Sequence, residues 1–151
     1  MLWSQIWLLN IIQDNNSLIK RTSKNFIEKT LSLNPSWNIL DIGCGHGANK
    51  YANVICDIQD LSKHYPDKTF IKLTEKKLPF RDKEFDFVIA SHVMEHVEDI
   101  KFFIGELERV SRQGYIELPT KLEDNLVFEN KKDHLWHMDF DDVELKILIS
   151  K

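Results

Sequence analysis

The apolar positions along the 151-residue chain change period twice. Leu2 to Gln13 forms a largely apolar stretch that reads as a helix. A second helix is predicted from Asn16 or Ser17, either of which suits an N-cap, to about Leu33. Phe26, Ile27 and Leu31 share one side of it, and Pro35 ends it. Short apolar runs without alternation follow. Trp37–Ile42 reads as a buried strand, and Val54–Asp57, Thr69–Leu73 and Phe85–Ala90 read as a second, third and fourth strand. From Asp99 onward, Ile100, Phe103, Ile104, Leu107 and Val110 recur at three- and four-residue spacing. That spacing predicts a helix with one buried face, stopped by Gly114. Tyr115–Leu118 reads as a fifth strand closed by Pro119. Near the end, Trp136, Met138 and Phe140, then Val143, Leu145, Ile147 and Ile149, recur at every second position around Asp141-Asp142, which predicts a hairpin. The expected fold is α/β, with a mainly parallel sheet and an antiparallel edge, in one domain over 1–151. Residues 1–34 form its helical segment and 37–151 its sheet core.

Composition narrows the function classes. With 29% charged and 42% apolar residues the chain can bury a core, so disorder is not expected. A net charge of −4 argues against a general nucleic-acid binder, which needs a basic face. The longest apolar run, Ile6 to Ile12, contains Asn10 and falls far short of the ~20 residues of a membrane span. The start lacks a positive region and a cleavage site, so no secretory signal is expected. Cys44 and Cys56 are too few for a disulfide scaffold and suit a reducing cytoplasm. The apolar N-terminal helix is expected to pack on the core or to form a homodimer contact. Interfacial membrane contact through Trp3 and Trp7 is the lesser alternative.

The chemistry centres on Asp41-Ile42-Gly43-Cys44-Gly45-His46-Gly47, where a strand ends. Ligands of open α/β sheets bind beyond the carboxyl ends of strands. Glycines at alternate positions let backbone approach a ligand; the plain alternative is a tight turn. Gly43, Gly45 and Ala48 also fit the permissive dinucleotide pattern. That pattern needs a long helix behind it to hold a pyrophosphate. Val54 begins the next strand only seven residues after Gly47, so at most about two helical turns fit. S-adenosylmethionine has no phosphate, and its sulfonium is positive. Asp41 suits its ammonium group, and Asp57 is placed to accept from both ribose hydroxyls. The plain alternative for Asp57 is a solvated strand-end turn.

Four segments in order carry a resemblance: Asp41–Gly47, Asp57, Leu78–Val88 and Ser91–Asp99. Over roughly residues 37–120 the chain resembles class I S-adenosylmethionine-dependent methyltransferases of the type 11 group. The resemblance implies a Rossmann-like sheet whose last strand is antiparallel. The brief links after Gly47 and over Gln59–Lys68 depart from the family and leave room for short crossover helices only, and the two N-terminal helices complete the expected fold. The resemblance also implies that Asp41, Gly43, Cys44 and Gly45 line the amino-acid end of the cofactor, with Asp57 and Ile58 at the ribose. Thr74, with Glu75 next to it, stands where many members carry an Asp toward adenine, and Ser91 and His92 lie near the sulfonium.

His92-Val93-Met94-Glu95-His96 matches the H-x-x-E-H signature of zinc peptidases. On a long helix, His92 and His96 would share a face. Here Ala90 and Ser91 close a strand just before them, so no metal is expected and zinc hydrolysis is the remote alternative. His92 and His96 are instead candidate bases for a hydroxyl acceptor, since imidazole titrates near neutral pH. The plain alternative is that His96 only fixes its turn. His134 or His137 could border the same pocket, or both could sit on a solvated hairpin face. The leading expectation is methyl transfer to a small-molecule, saccharide or lipid acceptor. The alternative is a non-catalytic binding module of the same fold.

Overall fold

The computed structural model describes residues 33–119, 134–141, 143 and 146–150; both predicted N-terminal helices, and with them the homodimer contact, lie outside these. Five strands form one sheet: β1 (Ile39–Ile42), β2 (Val54–Asp57), β3 (Thr69–Lys72), β4 (Phe85–Ser91) and β5 (Ser111–Glu117). Their order is β3-β2-β1-β4-β5, and every neighbouring pair is parallel. β1 is central, with Leu40 opposite both Val54 and Val88. The order reverses at β1, so a crevice opens between the chain leaving β1 and the chain leaving β4.

Alternation along the strands supplies both faces of the core. Leu40, Ile42, Cys56, Val88 and Ala90 pack with Ile100, Phe103, Leu107 and Val110 of the helix α1 (Ile100–Val110). Ile39, Ile55, Phe87, Ile89 and Tyr115 form the second cluster, with Trp37 stacked on Phe87 at a centroid distance of 5.8 Å. Asp99, from which the helix is expected to follow, caps α1 by accepting from the Phe102 N–H at 3.0 Å.

Three expectations are corrected. Gly114 does not stop the helix. α1 ends at Val110, and Ser111 begins β5 in extended conformation with its hydroxyl on the Leu107 carbonyl at 2.7 Å. Lys83 takes carbonyls of the last turn of α1, its N–H meeting Arg109 O at 2.7 Å and its Nζ reaching Glu108 O, and its Nζ also meets Ser111 O at the start of β5. A cation there also complements the helix dipole. Gly114 lies inside β5 opposite Val88, where a Cβ would come within 2.7 Å of Val88 Cγ1. That glycine serves close approach rather than termination.

The hairpin, β6 (His137–Asp141) and β7 (Lys146–Ser150), is antiparallel as expected. It forms its own two-stranded sheet rather than an edge of the five-stranded one. The crossover helices are also fewer than expected. The β1–β2 link contains turns only, the β2–β3 link has one 3-10 turn (Ser62–His64), and α1 carries the β4–β5 crossover.

The β3–β4 link is held by a half-buried ion pair. Glu106 of α1 accepts from the Leu78 N–H at 2.7 Å and from Arg109 Nε at 2.7 Å. Arg109 donates onward to Leu78 O at 2.9 Å and Phe80 O at 2.7 Å. The Arg109 hydrogen bond holds the Glu106 carboxyl below the ordinary carboxylate range.

Candidate functional site

The glycine loop turns back over the end of β2. The N–H groups of Gly43 and Cys44 both donate to Cys56 O, at 2.8 and 3.2 Å. Gly43 and Gly45 have φ of +65° and +50°, the left-handed region that favours glycine. A Cβ on Gly43 would collide with Val93 Cγ2 from the β4 turn, which ties the two strand-end turns together. A Cβ on Gly45 would meet nothing within 4 Å, so the backbone there faces open space.

Asp57, at the end of β2, is 9% exposed and closes the loop. Its Oδ2 accepts from the Gly45 N–H at 3.0 Å, and its Oδ1 from the Gln59 N–H at 2.9 Å. Asp41 is buried, and its Oδ2 accepts from the Asn49 N–H at 2.6 Å, holding the far side of the loop. Ile58 follows Asp57 with 75% of its surface exposed, an apolar side chain in water beside the loop. Thr74 and Glu75 are exposed just beyond β3. The structure thus gathers Asp41, Gly43, Cys44, Gly45, Asp57 and Ile58 in one place and sets Thr74 and Glu75 further along the same sheet edge. No helix follows the loop, so the N-terminus a pyrophosphate would need is missing from this link.

Tyr65 is a component the sequence did not reveal. Its hydroxyl donates to Gly45 O at 2.7 Å and accepts from the Ala48 N–H at 3.0 Å, pinning the loop opposite Asp57. The available signal was a lone aromatic in the polar link between Asp57 and Lys68. Cys44 is packing rather than chemistry: burial, with Asp41 and Asp57 nearby, pushes its thiol up to about 12. Burial raises Cys56 as well.

The second wall is the turn after β4. Ser91 Oγ donates to Glu117 Oε2 of β5 at 2.6 Å. His92 has a left-handed φ of +54° and donates its N–H to Glu117 O at 3.0 Å. Its ring sits between two carboxylates, with Nδ1 3.4 Å from Glu95 Oε1 and Nε2 3.9 Å from Glu117 Oε1. Met94–His96 forms a single 3-10 turn rather than the long helix of a zinc peptidase, so His92 and His96 do not stand at helical i, i+4 positions. Glu95 is fully buried. His134 lies against this turn, its ring centroid 4.8 Å from that of His96. The neighbouring Leu135 N–H and Trp136 Nε1 donate to Glu95 O and Val97 O, at 2.8 and 2.7 Å.

Residues 40–116 match the family model described as a methyltransferase domain, which is about half of the chain. An uncharacterized protein of Methanocaldococcus jannaschii is 32% identical over 108 residues, covering 67% of this chain and 51% of that protein. The chain thus spans about half the length of that relative. A Pyrococcus horikoshii protein structure is similar at a TM-score of 0.53 and 21% identity, covering 83% of this chain and 70% of that one. The structure of a SAM-dependent methyltransferase from Aquifex aeolicus is similar at 0.51 and 17% identity, covering 77% and 80%. These two structures share the fold with this chain.

Proposed function

This chain belongs to the methyltransferase-domain family, and from that premise we propose that it is an enzyme transferring a methyl group from S-adenosylmethionine to a small-molecule, saccharide or lipid acceptor. The observation that carries this reading is the glycine loop closed onto Asp57 with open space above Gly45. The residues suit the cofactor. A carboxylate has about four acceptor sites, and two hydrogen bonds from the loop backbone leave Asp57 able to accept from ribose hydroxyls. Ile58 offers an apolar surface beside it. Gly43, Cys44 and Gly45 provide close backbone approach, and Asp41 adds negative charge at the amino-acid end.

S-adenosylmethionine supplies a methyl group already activated on a sulfonium. The chain's task is then to position the acceptor, and good orientation of two reactants recovers about 7–11 kcal/mol of barrier. Ser91 and His92 border the place where the nucleophile would sit. Of the two candidate bases, His92 is the better placed, because Glu95 and Glu117 complement the charge its ring would gain with a proton. His96 is more exposed and lies beside His134. Cytoplasmic residence belongs to this reading and rests on two buried free cysteines. Among the described residues no helix is long and apolar enough to cross a membrane.

A non-catalytic binding module is the second reading, favoured by Thr74, which brings no charge where the family places an acid. Calorimetric titration with S-adenosylhomocysteine tests the proposal. The expected result is saturable heat, weakened about 10- to 100-fold by Asp57→Ala, since a hydrogen bond to a charged group is worth about 1.5–3 kcal/mol. No heat at millimolar ligand would sink the enzyme reading and leave the module.

A further inference from the structure

Glu95 sits at the turn after β4 with no exposed surface, and neither carboxylate oxygen has a hydrogen-bond partner. Isolated buried carboxylates are strongly disfavoured, and those that persist are paired or coordinate a cation. The polar side chains around this one are imidazoles. One ligand atom each from Glu95, His96 and His134 lies within 4.8 Å of the other two. We propose that Glu95, His96 and His134 bind a divalent transition-metal ion, of the zinc, cobalt or iron type.

The donor set decides the class. Two imidazole nitrogens and one carboxylate suit zinc and its neighbours, whereas magnesium and calcium take oxygen ligands. Metal–ligand bonds of about 2.0–2.2 Å in tetrahedral array place ligand atoms roughly 3.3–3.6 Å apart. Closure by about 1 Å brings the three groups to that spacing, within reach of rotations of the two imidazoles. Three protein ligands leave a coordination position for water or a substrate oxygen, the pattern of reactive rather than purely structural sites. His92, with Nδ1 3.4 Å from the same Glu95 Oε1 that His96 Nε2 approaches at 4.0 Å, is placed to orient the carboxylate. The site draws on two distant segments. The Leu135 N–H bond to Glu95 O and the Trp136 bond to Val97 O hold them together, so the third ligand is fixed by the fold.

This assignment stands whether or not the chain transfers methyl groups, and its test does not use that activity. The full chain, stripped with a chelator, is titrated with Co²⁺ and followed by ligand-field absorption, then with Zn²⁺ in competition. One ion per chain is expected. Binding should weaken by about 100-fold or more in Glu95→Gln and in His134→Ala, while the exposed His64→Ala keeps wild-type affinity. Circular dichroism checks that each variant folds; if Glu95→Gln does not, His134→Ala decides. Absence of Co²⁺ and Zn²⁺ binding overturns the proposal. So does binding that survives both ligand substitutions, or that falls equally in His64→Ala.

Discussion

Tyr65 shows how much a single side chain governs here. One hydroxyl both donates to Gly45 O and accepts from Ala48 N–H, so it braces the loop from the flank opposite Asp57. Tyr65→Phe keeps the ring and removes both bonds. It should lower affinity for S-adenosylhomocysteine about tenfold while costing about 1 kcal/mol of stability, read by calorimetry and urea unfolding. An unchanged affinity would assign Tyr65 to stability alone. The glycines and Asp57 were legible because their roles follow from residue type and position at strand ends. Tyr65 was not, because its meaning comes from backbone atoms far away in sequence, and the H-x-x-E-H match that named Glu95 could not show that His134 comes to lie beside it.

The elements were legible wherever one face had to be buried. The four short apolar runs became β1 to β4, and Asp99 began α1 where a capping residue precedes an apolar period. The end of α1 was misjudged because glycine has two uses, and at 114 the packing of Val88 claimed it. What fastens the β3–β4 link to α1 is the Glu106–Arg109 pair, and it carries a pH signature. The folded-state value of Glu106 is depressed, chiefly by the Arg109 hydrogen bond. Its stabilisation is therefore full above the unfolded carboxylate value, about 4.3, and is lost as pH falls through the lower folded value. Glu106→Gln should cost about 2 kcal/mol at neutral pH, and the gap to wild type should narrow on acidification below about pH 4. Urea midpoints across that range check it; a gap independent of pH would refute the linkage.

Taken whole, the molecule joins a parallel sheet to a hairpin from the far end of the chain. Period identified the hairpin but could not say which strand it would meet, since alternation reports faces and not partners. It contributes Met138, 3% exposed, to the core on the α1 side. Met138→Ala should therefore cost about 2–5 kcal/mol and lower the unfolding midpoint of the entire sheet. Far-ultraviolet dichroism and tryptophan fluorescence should report one shared transition. Separate transitions would mean that the hairpin folds independently.

The clasp of Asp57 and Tyr65 on Gly45 has a kinetic side. A loop already curved by its own backbone bonds acts as a mould, and an arriving molecule has little left to organise. The entropy of fixing those glycines is met when the chain folds, so capture draws only on surface and charge already in place.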